Sequence, residues 1–147
     1  MQTVAIPIFE ENMVLILNRL QALGLLLLRI GAGTIFLAHG WTKLTHMAGT
    51  MKFFAGLGFP SWMAVLIGLL EVGGGILLIF GLFTRITGLL LAIEMVVAIA
   101  AVHWKQVPWW NVTGYELALA CGVIAFALAS FGAGVVSVDH AVFRGRA

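Results

Sequence analysis

Apolar residues in this chain come in long, nearly unbroken runs, and polar residues gather in the short breaks between them. A membrane-spanning helix needs ~20 mostly apolar residues, and irregular backbone cannot face lipid, so each run is read as a helix bounded by its polar breaks. Four such runs are found, at about Gln21 to Leu44, Trp62 to Phe83, Arg85 to His103 and Gly114 to Phe131. Their joints are Thr45 to Ser61, Thr84 to Arg85, and Trp104 to Thr113. The pattern predicts an all-α integral membrane four-helix bundle with antiparallel, up-down connectivity, occupying residues 1–147 as one transmembrane domain. Ahead of the first run, Glu10, Glu11 and Asn12 can begin a short interfacial helix, because carboxylates suit a helix N-terminus and Met13, Leu17 and Leu20 then share one side. The first run is too long for the apolar region of a secretory signal and has no small-x-small cleavage site after it, so it is expected to be retained.

Composition strengthens the membrane reading. Hydrophobic residues make up 62% of the chain and charged residues 10%, with a mean hydropathy of +1.10, whereas about a quarter of the residues in a soluble domain are charged. The net charge of +2 is small and its carriers scattered, which excludes a nucleic-acid surface. A single cysteine, Cys121, allows no intrachain disulfide, dithiol motif or thiolate zinc site, and its apolar setting reads as a small buried hydrophobe. An even number of spans puts Arg19, Arg85, Arg144 and Arg146 on the side of the termini, with Lys43, Lys52 and Lys105 opposite. Arginine bias therefore predicts cytoplasmic termini. The five tryptophans, Trp41, Trp62, Trp104, Trp109 and Trp110, fall on the other side with Tyr115 nearby, either as a headgroup belt or as walls of a flat pocket. Glycines at 31, 33 and 40 in the first run, and at 68, 73, 74, 75 and 81 in the second, are expected to let helix backbones approach closely.

Arg29, Glu71 and Glu94 interrupt the first three runs, and each opposes insertion by ~2.5 to 3.5 kcal/mol at a helix centre. Counted at ~1.5 Å per residue, they lie ~12 to 14 Å along their helices, which brings all three near the bilayer midplane. A buried cluster with the guanidinium between two carboxylates is expected, its formal sum of one negative charge calling for a proton on one carboxylate. Such a cluster serves either helix order or proton and ligand handling. A second polar set, His39, Lys43, His46, His103, Lys105 and Glu116, lies toward the tryptophan side as a candidate mouth. No HxxxH or ExxH pair supports a metal site. A quinone-like ring between aromatic walls such as Trp41 and Trp104 fits better, with His39, Lys43 or His103 donating to its carbonyl oxygen and a carboxylate such as Glu116 exchanging the proton.

The strings LLLRIGAGTIFLAHGWTKL, FFAGLGFP and LIGLLEVGGGILLIFGLFTR, with His103 and the Tyr115-Glu116 region, resemble the DoxX family of small four-helix membrane proteins over roughly Leu25 to Asp139. The resemblance implies a bacterial inner membrane and a link to quinone-dependent oxidation, as in the membrane subunits of thiosulfate:quinone oxidoreductase. It favours Arg29, His39, Lys43, Glu71, His103 and Glu116 as functional positions; Glu94 rests on the depth count alone. The sequence carries no cysteine cluster, haem-attachment motif or nucleotide fingerprint. It is therefore expected to hold no intrinsic cofactor and to act as a subunit or accessory, with quinone as ligand and oxidoreductase proteins as partners. Two other classes stay open: a noncatalytic scaffold, and a homo-oligomeric transporter or channel component.

Overall fold

The computed structural model describes residues 8–103, 108 and 110–143, with the side chains of residues 8, 9 and 103 left undescribed. Every regular element among them is helical: α1 (Ile8–Thr45), α2 (Met47–Gly56), α3 (Met63–Phe80), α4 (Thr84–Ala98), α5 (Glu116–Phe131) and α6 (Val138–Phe143). A π-helical turn, Ile99–His103, extends α4, and a 3-10 turn, Val112–Gly114, leads into α5. Three helical stretches are long and apolar enough to cross a membrane: Glu10–Thr45, Met63–Phe80 and Thr84–Val102. Glu116–Phe131 is apolar but shorter, at 16 residues.

α1 packs along α3 and α4 along α5, with α3 against α4 joining the two pairs. Both pairs run antiparallel. A Cβ on Gly33 would meet Gly75 O at 2.7 Å, and one on Gly40 would meet Val72 N at 2.7 Å, so rising numbers in α1 meet falling numbers in α3. Across the other pair, Gly88 abuts Ala125 and Ala129 while Gly122 abuts Met95. Backbones this close exclude any side chain at Gly33, Gly40 and Gly75, which is how helices gain packing in lipid. Gly31 and Gly73 do not join in, since both face open space. Leu25, Ala32, Phe36, Leu78, Leu91, Met95, Ala125 and Leu128 fill the core, and Cys121 is buried among them. Large apolar side chains such as Leu66, Leu69, Ile86, Ile93 and Phe126 point outward, as lipid-facing positions do.

The first helix differs from the expected one. Among the described residues no separate interfacial helix precedes the span; residues 8–20 are the opening turns of α1, because neither glycine nor proline interrupts the chain between Ile8 and Gly24. The joint between the first two spans also holds a helix, α2, with exposed Phe53 on its surface.

α3 ends where Gly81 takes a left-handed conformation (φ 69°), with Gly81 N–H donating to Leu78 O and Leu82 N–H to Leu77 O. This double bond pattern satisfies the last carbonyls and turns the chain into α4. Asp139 of α6 then accepts from Phe83 N–H at 2.7 Å and Thr84 N–H at 2.9 Å, capping α4 from a distant part of the sequence.

Candidate functional site

His39 and Lys43 lie one turn apart on α1, and Gly40 between them brings the α1 backbone against Glu71 of α3. That contact lets the Lys43 ammonium reach the Glu71 carboxylate, with which it forms a salt bridge through Oε2. The carboxylate is 3% exposed and the lysine 27%, so the pair sits at the edge of the protein interior, largely out of water. Glu94 of α4 is also buried, its carboxyl beside that of Glu71 and within the field of Lys43. One of its oxygens, Oε2, has no hydrogen-bond partner among the described residues. Two carboxyl groups and one ammonium thus meet where three antiparallel helices converge.

Lys43 and Glu71 border a cavity of about 330 Å³ between α1, α3, the end of α4 and the start of α5, and Glu94 lies outside its lining. Phe36, Ile35, Met95 and Ala98 give it apolar walls. His39, Lys43, Glu71, Thr113, Tyr115 and Glu116 supply polar groups, and Cys121 lines it from α5. Its size falls at the small end of the ~300 to 1,000 Å³ typical of ligand pockets, and mostly apolar walls with a few convergent polar groups are their usual composition. His39 and Glu116 are exposed, whereas Glu71 and Cys121 are buried, which gives the cavity a polar mouth and a charged floor.

Of the residues expected to form the buried cluster, Glu71 and Glu94 are together, and Arg29 is elsewhere. Its guanidinium donates from Nε to Leu78 O (3.0 Å), from one terminal nitrogen to Ile79 O (3.0 Å), and from the other to Ala133 O (2.7 Å) and Val136 O (2.6 Å). It is 2% exposed and ties the end of α3 to the segment after α5. The depth count failed because it measured Arg29 from one membrane face and Glu71 from the other, so similar distances are not one level; the packing at Gly33–Gly75 and Gly40–Val72 sets Arg29 level with Leu78 rather than with Glu71. Seven residues of α3 separate those two levels, or ~10 Å. Lys43 takes the place next to Glu71 that had been expected for arginine.

Trp41 was expected as a pocket wall; it is 62% exposed and points away from the cavity, as Trp62 and Trp110 also point outward. Phe36 and Tyr115 provide the aromatic lining instead. Trp104 and the side chain of His103 lie outside the described residues. The sequence reading missed Cys121 and Thr113 as lining residues. The signal for Cys121 was helical spacing, since Leu117, Ala118 and Cys121 share one face of α5.

A larger cavity, about 730 Å³, lies at the other end of the molecule among Asn18, Gln21, Phe83, Arg85, Asp139 and Phe143. Its charged groups are committed to structure. Arg85 donates to Ser130 O at 2.6 Å and Ala129 O at 3.2 Å, and Asp139 caps α4. The smaller cavity has the chemistry: an ion pair in its wall and a polar mouth, with the Glu94 carboxyl and its unpaired oxygen next to Glu71 outside the lining.

The sequence profile of the DoxX family matches residues 24–104, which run from α1 through α4 and hold Arg29, His39, Lys43, Glu71 and Glu94. The chain belongs to the DoxX family. Within reach of this DoxX chain is the protein named "Putative oxidoreductase CatD" of Bacillus subtilis, 38% identical over 130 residues that cover 88% of this chain and 95% of the relative. "Inner membrane protein YqjF" of Escherichia coli is 40% identical over 76 residues, covering 52% of this chain and 58% of its own. "Inner membrane protein YphA" of the same organism is 32% identical over 93 residues, or 61% and 63% of the two chains. No solved structure matches this DoxX protein.

Proposed function

We propose that this DoxX protein crosses a bacterial inner membrane four times in up-down order, with cytoplasmic termini, and serves a quinone-linked oxidoreductase system by holding a quinone ring in the 330 Å³ cavity. The observation that carries the reading is the meeting of apolar walls with Lys43, Glu71, His39 and Glu116 around one space. A quinone ring is flat and apolar with carbonyl oxygens at opposite edges, so it needs a slot that donates hydrogen bonds at its ends and supplies protons as it is reduced. Lys43 and His39 are the donors for one carbonyl oxygen, and Phe36, Ile35 and Met95 pack against the ring.

Glu71 and Glu94 hold the proton reserve. With Lys43 charged, two carboxylates leave one negative charge in excess inside a low-dielectric interior, and one shared proton removes that excess. Reduction of the ring to its hydroquinone takes two electrons and two protons: the proton shared by Glu71 and Glu94 enters through Glu71, and Glu116, which lines the exposed mouth, carries in from water the second proton and the one that recharges the pair. Electrons come from an oxidoreductase partner, and the chain supplies binding, orientation and protons. The relative named as an oxidoreductase matches along nearly its whole length, and two further relatives carry inner-membrane names, which support the setting. Four spans are supported by α5, whose 16 mostly apolar residues reach ~24 Å and run antiparallel to α4. Arginine bias supports the orientation.

Titration of the purified protein with a short-chain benzoquinone or naphthoquinone, followed by thermal unfolding, tests the ligand. A saturable rise in melting temperature is expected, abolished by Lys43→Met combined with Glu71→Gln. No rise, or an equal rise in that double variant, removes the quinone site and leaves a membrane scaffold.

A further inference from the structure

The larger cavity, about 730 Å³, stands at the end of the bundle where α4 begins and α5 ends. The apolar stretch of α4 starts at Thr84 and that of α5 stops at Phe131, so here the helices leave the hydrocarbon and meet the headgroups. The cavity walls are of two kinds. Phe83, Ile86 and Phe131 are apolar and exposed, and Ile86 heads a row of exposed apolar residues, Leu89, Leu90, Ile93 and Val97, along the outer face of α4. Asn18, Arg85 and Asp139 are polar.

Arg85 and Asp139 carry opposite charges on this one space, yet among the described residues no salt bridge joins them. Each is tied to backbone instead, and neither is exhausted. One terminal nitrogen of Arg85 donates to Ala129 O and Ser130 O; the other reaches Phe131 O only at 3.5 Å, and Nε has no acceptor among the described residues. That edge of the guanidinium faces Gly132, where a Cβ would lie 3.3 Å from Nε and 3.5 Å from the second terminal nitrogen. The glycine leaves the edge open. Two N–H donors side by side match two oxygens of a phosphate. Asp139 accepts one N–H from Phe83 and one from Thr84, and a carboxylate offers about four lone-pair sites, so it can accept from a further donor. Arg29 stands in the field of Asp139 but is sealed behind its carbonyls at 2% exposure, which leaves Arg85 as the fixed cation that the cavity presents.

A cation and an anion held apart at headgroup depth, beside an apolar path into the membrane, match a zwitterion with an apolar tail. A purely anionic headgroup would leave Asp139 unpaired, and a quaternary ammonium would bring it no N–H donor. We propose that this cavity binds one phospholipid with a primary-amine headgroup, phosphatidylethanolamine: its phosphate on the open edge of Arg85, its ammonium on Asp139, and an acyl chain along Ile86 and the outer face of α4. Because α1, α4 and α6 all contribute to the walls, the lipid clamps three elements and its binding reads out as stability. The site is independent of what the smaller cavity holds.

The test uses the full chain, stripped of lipid in mild detergent, with short-chain phospholipids added singly. Dihexanoyl phosphatidylethanolamine should raise the melting temperature saturably. Phosphatidylcholine and phosphatidylglycerol with the same chains should bind ~tenfold more weakly, about the loss of one charge-assisted hydrogen bond. Phosphoethanolamine and inorganic phosphate, which lack chains, should leave the melting temperature unchanged at the same concentrations. Arg85→Gln should abolish the rise, but it also releases the α5 carbonyls. Ala22→Trp fills the cavity from α1 without removing a hydrogen bond, and should abolish the rise in a protein that still unfolds cooperatively. No rise with phosphatidylethanolamine, equal rises with all three lipids, a rise with phosphate alone, or a rise retained in folded Ala22→Trp would each overturn the site.

Discussion

Replacing Lys43 by methionine leaves the Glu71 carboxylate 3% exposed and without its cation. Breaking a buried pair from one side costs ~3 to 5 kcal/mol, mostly the penalty of the stranded charge. Lys43 is 27% exposed, so water reaches the site and the loss should sit lower, at ~2 to 3 kcal/mol. Glu71→Gln on the Lys43→Met background removes the stranded charge, and the double variant should recover ~1 to 2 kcal/mol relative to the sum of the single changes. Arg29→Met should behave otherwise. It strips a cation from four backbone carbonyls, costing at least ~3 kcal/mol, and Glu71→Gln cannot restore those bonds. Equilibrium unfolding in bicelles, read by tryptophan fluorescence, gives both cycles. Additivity of Lys43→Met with Glu71→Gln, or rescue of Arg29→Met by Glu71→Gln, would refute the pairing described here.

Gly75→Leu should separate α1 from α3 and destabilise by ~3 kcal/mol or more, because its Cβ would sit 2.6 Å from Gly33 O, while Gly31→Ala, facing open space, should stay within ~0.5 kcal/mol on the same unfolding curves. Asp139→Ala, which uncaps α4, should cost ~1 to 2 kcal/mol and leave quinone titration unchanged. A cysteine placed at Lys52 should react with an impermeant maleimide only from the non-cytoplasmic face, and labelling from the cytoplasm alone would invert the orientation.

Much of the fold could be read from the sequence because lipid imposes simple rules: apolar runs gave the helices, and Gly33, Gly40, Gly68 and Gly75 marked where they touch. Helix ends were less legible. Glu10 and Glu11 signalled a helix start, but nothing local said that this helix and the first span are one, since continuity follows from the absence of a breaker. In the site, the charged types were visible and their partners were not. Depth counted from opposite faces put Arg29 beside Glu71 and left Lys43 in the separate mouth set; the crossing at Gly40 brings lysine to Glu71 instead. Arg29 binds four carbonyls from two segments distant in sequence, the end of α3 and the stretch after α5, which no spacing announces. Trp41 follows the ordinary rule for aromatic residues at a membrane boundary and faces outward, and the cavity draws its rings from Phe36 and Tyr115 instead.

Extraction of the protein from native membranes in mild detergent, followed by quantitation of co-purifying quinone, addresses the cavity most directly when wild type is compared with Cys121→Phe and Trp41→Phe. Cys121 is 2% exposed and lines the cavity, so a phenyl group there should fill the space, and Trp41 lies outside it. Near-stoichiometric quinone in wild type and Trp41→Phe, with loss in a Cys121→Phe variant that still unfolds cooperatively, is the expected result. Quinone absent from all three, or retained equally in folded Cys121→Phe, would contradict it.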